Sequence, residues 1–342
     1  MVSSNPPRKI VNYPIAGDPN GGALFIYGDS NAKKMAIMSA GFPDDQEVFL
    51  PFASRLAKET DTLVGVTCVP GYDDRPDKPW TDHKKDGYTF DEMAIAFREA
   101  AKVLRSESTC PSKPKFTGIF HDWGVIPGST WANRAIEDDS ADAPDELVLF
   151  DVLLGPHPQT KDRPHAQKPS MHEIFITIYY RFVYAFSFFM QSIGFNLLAG
   201  IFFGLGNLSM QLFKLGPLYQ IDIDIISGRP QLPLRRFIYM CYPYFYMFKT
   251  IVLDGGKALT DATLPKDLKK TPVLYLYGKE KRIMFHDYVS VKILEREHAE
   301  GRSPSNAIAV DDAGHWLYVQ KPDLCFDAVK DFMQGSQGGA VN

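Results

Sequence analysis

The stretch Phe120-His121-Asp122-Trp123-Gly124 decides how this chain is read. It closes a short apolar run, Lys115 to Phe120, that reads as a buried strand, and a helical pattern (Trp131-Ala132-Asn133-Arg134-Ala135-Ile136) follows it. A side chain on a sharp strand-to-helix turn stands at the top of a parallel sheet, beside the positive end of a helix. Here that side chain is a carboxylate, Asp122. Backbone amides at such a turn keep a carboxylate ionised, and an ionised carboxylate can attack carbon to form a covalent ester. An aspartate that only caps the next helix suits the same position, so the window by itself leaves both roles open.

Outward from this stretch, strands and helices alternate. Residues 10–39 read as strands, broken by the turn Gly28-Asp29-Ser30-Asn31. A helix carries Phe49, Phe52, Leu56 and Ala57, and a buried strand runs from Thr62 to Val69 into Pro70-Gly71-Tyr72. Residues 73–88 are polar and read as a loop; Phe90 to Arg105 has helical periodicity. The acidic run Glu137 to Glu146 reads as a solvated loop, and strand Leu147 to Phe150 ends at Asp151. From about 155 to 270 the alternation stops and the chain reads as aromatic, apolar helices. It resumes with strands Pro272 to Tyr277 and Ala307 to Val310, then Gly314-His315-Trp316 and a closing helix, Pro322 to Met333. This is the pattern of a mostly parallel α/β sheet covered on both faces. The expected organisation is a first core part at 1–154, a helical insertion at 155–270 and a second core part at 271–342. His315, in a loop after the last strand, is placed to act as a base.

The composition narrows the function. The 342 residues, 45% hydrophobic, allow one large domain with an inserted subdomain. A net charge of -4 argues against nucleic-acid binding. Cys68, Cys110, Cys241 and Cys325 are scattered without a CxxC, which fits a reducing compartment better than a disulfide framework or a metal site. Met1 to Lys9 lack the apolar run of a secretory signal, so a cytoplasmic location is expected. The run Phe182 to Phe213 has no charged residue and is long enough to span a bilayer, yet it is interrupted by Ser, Asn, Gln and Gly. It reads as a buried lining or as helices resting on a membrane surface. Both imply a lipophilic substrate, and the second implies a peripheral membrane contact.

Four motifs in order then carry a resemblance: Ala40-Gly41-Phe42-Pro43, Pro70-Gly71-Tyr72-Asp73-Asp74, His121-Asp122-Trp123-Gly124, and Gly314-His315-Trp316 with Lys321-Pro322-Asp323 behind it. Together they resemble the α/β-hydrolase superfamily, and the His-Asp-Trp-Gly window resembles its epoxide hydrolase and haloalkane dehalogenase branch, which uses an aspartate nucleophile. No Gly-x-Ser-x-Gly window supports a serine esterase. The resemblance implies an α/β-hydrolase fold with an inserted helical cap, and hydrolysis of a small lipophilic substrate through an aspartyl ester. Asp122 would be the nucleophile and His315 the base that activates water. The amides of Phe42 and Trp123 would form the oxyanion hole. No metal and no organic cofactor is implied. Epoxide opening in this branch uses two cap tyrosines, and here Tyr179, Tyr180 and Tyr184 form one cluster and Tyr239, Tyr242, Tyr244 and Tyr246 another. No motif picks among them. A dehalogenase would instead hold the halide, with the Trp123 indole as donor. A third reading is a degenerate hydrolase that binds a lipid or a partner without turnover.

The chain departs from the pattern at several places. Phe120 stands two before Asp122, where a small residue is usual because the turn is crowded. Ala40 replaces a histidine, and Pro127-Gly128 interrupts the start of the next helix. Lys281 occupies the usual position of the acid that orients the histidine, and lysine cannot do that work. Asp151 is the preferred acid; Glu280, or no acid, are the alternatives.

Overall fold

Apolar runs rich in Val, Ile, Leu and Phe form the strands. The computed structural model describes residues 6–73, 75, 78–166, 168–212, 232–256, 259, 261–281 and 285–335; the expectations at Asp74 and across 213–231 of the insertion lie outside them. The strands are β1 (Lys9–Ile15), β2 (Asp18–Tyr27), β3 (Lys34–Ala40), β4 (Thr62–Cys68), β5 (Lys115–His121), β6 (Glu146–Phe150), β7 (Val152–Leu153), β8 (Val273–Gly278), β9 (Phe285–His286) and β10 (Asn306–Val310). Eight of them make one sheet in the order β1-β2-β4-β3-β5-β6-β8-β10, while β7 and β9 pair separately. β2 runs antiparallel to both its neighbours, and the remaining pairings in the sheet are parallel. Every residue of β4 is buried, as expected of a strand covered on both faces.

Registers align the strand ends. Ser39 pairs with Phe120, His121 with Phe150, Phe150 with Leu276, and Gly278 with Val310. The connections out of β3 and β4 leave β3 between β4 and β5, so chain direction through the sheet reverses there. Ligands in open α/β sheets bind at such a crevice, beyond the carboxyl ends of the strands.

Helices α1 (Leu50–Thr60), α2 (Phe90–Ser106) and α3 (Val125–Glu137) follow β3, β4 and β5. α4 (Met171–Ser192), α5 (Asn196–Leu212), α6 (Leu234–Tyr239) and α7 (Tyr242–Asp254) form the insertion. α8 (Tyr288–Ala299), α9 (Leu317–Gln320) and α10 (Pro322–Gln334) complete the chain. α1 and α10 cover one face of the sheet, through Phe52, Leu56, Phe326 and Phe332. α2 and α3 cover the other face, and the buried side of the insertion joins that core. Capping boxes start α2 (Thr89 with Glu92) and α4 (Ser170 with Glu173), each worth about 1 kcal/mol.

Two polar stretches differ from their sequence reading. The described residues of 73–88 form a loop with one 3-10 turn, Trp80–Asp82, and it carries buried charge. His83 bonds Asp18 Oδ2 through Nδ1 at 2.9 Å and Asp73 Oδ1 through Nε2 at 3.1 Å, while Tyr88 donates to Asp18 at 2.7 Å. The insertion is fastened to the same loop: Tyr242 donates to the Pro70 carbonyl at 2.7 Å, Tyr239 to that of Lys84 at 2.9 Å and Arg236 to that of Tyr72 at 2.8 Å. In the acidic run, Asp142 is buried beside Arg98 and Trp131, and Glu146 beside Lys115 and Thr117. In both stretches the partners that make burial tolerable come from distant parts of the chain.

Candidate active site

β5 ends at His121 and the next residue turns sharply. Asp122 has φ +50°, a left-handed conformation that residues with a Cβ rarely adopt. A single 3-10 turn, Asp122–Gly124, then leads straight into α3. Glycines allow this approach. A Cβ on Gly124 would lie 2.7 Å from the Ser39 carbonyl oxygen, and one on Gly41 would lie 2.1 Å from the Trp123 nitrogen. The loop after β3 therefore presses on the turn after β5. The Phe42 N–H donates to Asp122 Oδ1 at 2.8 Å, and the neighbouring Trp123 amide also favours the ionised carboxyl. No side chain caps α3, so Asp122 is not its cap. Burial pushes the Asp122 carboxyl up to about 6, opposed by the two amides and the Lys281 ammonium.

His315 sits in the loop between β10 and α9. A Cβ on Gly278, at the end of β8, would lie 2.2 Å from the Gly314 carbonyl oxygen, so the two segments touch. Trp316 Nε1 donates to Asp44 at 2.6 Å, and the Gly314 N–H donates to Gln320 at 2.7 Å. Held this way, His315 places Nε2 3.5 Å from Asp122 Oδ2 and Nδ1 2.5 Å from Asp151 Oδ2. The structure thus brings Asp122, His315, Asp151, Phe42 and Trp123 together at the carboxyl ends of β3, β5 and β6. Glu280 is exposed, and its N–H bonds the Ala313 carbonyl at 2.9 Å; it is not the acid beside His315.

Asp151 also has a left-handed backbone, φ +62°, at the end of β6. Its Oδ2 accepts from His315 Nδ1 and from Lys281 Nζ, and Lys281 donates to its carbonyl oxygen as well, at 3.0 Å. The lysine in the acid's usual place therefore grips the acid that replaces it. Burial pushes the Asp151 carboxyl up, and the Lys281 ammonium holds it down. With Asp151 ionised, His315 carries its proton on Nδ1 and turns the Nε2 lone pair toward Asp122.

His121 was not singled out from the sequence. It is fully buried, with its ring 4.5 Å from that of His315. Burial and then the neighbouring His315 and Lys281 hold its pKa well below the usual range, so it is neutral. Nε2 donates to the His315 carbonyl at 3.1 Å, and Nδ1 accepts from Tyr318 at 3.2 Å. It steadies the backbone of the His315 loop. His121, Asp151 and His315 bring donor atoms of metal-ligand type within 4.8 Å of one another, but these atoms are engaged by the carbonyl, by each other and by Lys281.

Aromatic side chains roof the carboxylate. Tyr244 lies 4.8 Å from Trp123, 5.6 Å from Phe42 and 6.0 Å from Tyr180, between ring centroids. The hydroxyls of four of the other tyrosines point elsewhere: Tyr184 to Asn207, Tyr179 to Ser209, Tyr239 and Tyr242 to backbone carbonyls. Within the two sequence clusters, Tyr180 and Tyr244 are those whose titration feels Asp122; Tyr72, after β4, feels it too but gives its hydroxyl to the Met240 carbonyl at 2.5 Å. Arg181 Nε donates to the Tyr180 oxygen at 3.0 Å. Burial raises both phenols, Tyr180 to about 12, where Arg181 opposes the rise. Only packing separates these two from their neighbours, so no sequence signal could have selected them.

No protein-family model matches the sequence, and no curated protein matches it. Solved structures do match. A laboratory-evolved variant of potato epoxide hydrolase aligns at TM-score 0.56 and 14% identity, over 96% of this chain and 100% of that one. A loop variant of the haloalkane dehalogenase from Bradyrhizobium elkanii aligns at TM-score 0.58 and 13% identity, over 96% and 97%. The Bacillus megaterium epoxide hydrolase in complex with an inhibitor aligns at TM-score 0.54 and 16% identity, over 95% and 100%. Identities this low establish a shared fold.

Proposed function

We propose that this chain, which has the α/β-hydrolase fold of those structures, hydrolyses an epoxide on a lipophilic substrate through an aspartyl-ester intermediate. The reading is carried by His315, within reach of both Asp122 and Asp151. Asp122 Oδ2 attacks an epoxide carbon, the C–O bond breaks, and the departing oxygen takes a proton from Tyr180 or Tyr244. Oδ1 stays on the Phe42 amide and becomes the ester carbonyl oxygen. His315 Nε2 then takes a proton from a water as that water adds to Cγ, and the oxyanion forms on Oδ1, where the Phe42 N–H already points and the Trp123 amide lies beside it. Collapse releases the diol and restores the carboxylate, and the proton on His315 returns to the tyrosinate by way of solvent. Asp151 keeps Nδ1 protonated and stabilises the imidazolium. The helical insertion is, in this reading, the cap that supplies the proton donors and excludes water.

Against the dehalogenase alternative stands Trp123. Its indole is packed against the rings of Tyr244 and Phe90, 4.8 and 6.1 Å between centroids, which walls in the donor a halide would use. Against a degenerate binder stand two accommodations of the sequence's departures. Phe120 fits against glycines, as set out below, and Lys281 supports the acid rather than displacing it. The test is a single turnover of 1,2-epoxydodecane in water enriched in oxygen-18. The diol should carry ordinary oxygen, with the heavy atom appearing on the peptide containing Asp122; heavy oxygen in the first-turnover diol would sink the mechanism. Bromide release from 1-bromooctane would instead favour the dehalogenase. Turnover of neither, with epoxide binding retained in Asp122→Ala, would leave the binder.

A further inference from the structure

α4 is apolar on both sides. Its inner stripe, Ile176, Tyr180, Val183, Tyr184 and Ser187, is buried over the site. Its outer stripe is bare: Phe175 is 57% exposed, Ile178 56% and Phe182 50%. The outer face continues onto α5, where Leu205 is 62% exposed, and onto the end of α7, where Val252 is 79% exposed. The three surfaces are one patch, because Phe182 meets Phe202 of α5 and Phe248 of α7, each at 6.4 Å between centroids. Soluble proteins seldom leave apolar surface of this extent uncovered. α4 is long and apolar enough to cross a bilayer by length and composition, but its inner stripe is committed to the protein, so a lipid phase can reach only the outer one.

The charges at the edge choose the occupant. Exposed Lys168 lies just before α4, Arg235 at the start of α6 and Lys249 on α7, while Lys161 and Arg163 flank Asp162 beside α8. The exposed anions of these segments are Asp162, which is paired with Arg296, and Asp254. The rim is thus basic in a chain whose net charge is -4. Two copies packed face to face would bring the basic rims together, whereas an anionic lipid surface meets apolar face and basic rim at once.

We infer that the outer face of α4, α5 and α7 docks on an anionic lipid bilayer, with the apolar stripe in the acyl boundary and the basic rim among the headgroups. This surface is independent of the reaction proposed above. It places the inner stripe of α4 over Asp122 and its outer stripe in lipid, so a lipophilic substrate leaves the bilayer on one side of a single helix and reacts on the other.

The experiment is co-sedimentation of the full chain with vesicles of phosphatidylcholine alone and of phosphatidylcholine mixed with phosphatidylserine. Binding should be stronger to the mixed vesicles. Phe182→Glu with Leu205→Glu should cut the bound fraction about tenfold or more, with near-ultraviolet circular dichroism unchanged. Should that variant fail to fold, Arg235→Glu with Lys249→Glu leaves the apolar face intact and should abolish the preference for phosphatidylserine. Absence of sedimentation with mixed vesicles overturns the inference, as does equal binding by the variants and the parent. A wild-type dimer in light scattering that the Phe182 and Leu205 changes dissolve, without vesicle binding, would assign the face to a second copy. Vesicle binding that appears only after residues 213–231 are replaced by a Gly-Ser linker would assign it to that segment; either result overturns the inference.

Discussion

Asp151 Oδ2 is shared by two donors, His315 Nδ1 and the Lys281 ammonium. Take the ammonium away and burial acts on the carboxyl unopposed. Lys281→Met should therefore raise the Asp151 pKa, and a protonated Asp151 cannot orient or stabilise the imidazolium. The sign follows: activity is lost on the acid side and recovers as pH rises. At pH 7, kcat/KM should fall about tenfold for each unit the acid limb moves up, measured as a pH profile. In the parent, two carboxyls set the acid limb, Asp122 pushed up to about 6 and Asp151 to about 7, since the proposed reaction needs both ionised. A lower thermal midpoint with an unmoved profile would reduce Lys281 to packing. The chain itself showed the lysine in the acid's place. What it could not show is that β6 and the β8 loop end side by side, which turns an apparent substitution into an ion pair.

The turn from β5 into α3 holds Phe120 by removing side chains around it. A Cβ on Gly128, in the first turn of α3, would lie 2.6 Å from the Phe120 ring, and one on Gly118 would lie 2.8 Å from it. The space usually left before the nucleophile has moved one helical turn onward. Gly128→Ala should cost about 1–3 kcal/mol from overpacking, and Phe120→Leu in the same chain should recover part of it; additive effects in urea unfolding would refute the coupling. At the other edge of the sheet, His83 ties the loop after β4 to β2. Its pKa is raised from 6.5 to about 9: burial lowers it, but bonds to Asp18 and Asp73 overcome that. Because the folded value is the higher one, this stabilisation is full below pH 6.5 and is lost as pH rises through about 9. Thermal midpoints should decline across that window. His83→Gln should flatten the decline and cost about 1–3 kcal/mol at neutral pH, since Asp18 and Asp73 lose a charged hydrogen-bond partner but keep Lys78.

One apolar core runs from the sheet into the insertion. It joins Ile37, Phe97 and Phe120 beneath to Phe42 and Trp123 at the crevice and to Tyr184, Phe188 and Phe203 above. Three side-chain bonds to the loop after β4 reinforce the joint. The described part of the insertion therefore shares the core of the sheet and should not melt alone. Calorimetry of the full chain should give one transition whose van't Hoff and calorimetric enthalpies agree; a separate early transition removed by deleting the insertion would contradict this.

Period and punctuation in the sequence determined the alternation of strands and helices and the break in it after Asp151, because each depends on residues near one another in the chain. They also put Asp122 and His315 at the same end of the sheet. Only the tertiary structure decided which carboxylate lies beside His315, which tyrosine hydroxyls are bonded away from the crevice, and that the polar loop after β4 buries an imidazolium. Those choices rest on contacts between segments far apart in sequence, where burial sets both partner and charge, and no local pattern encodes them.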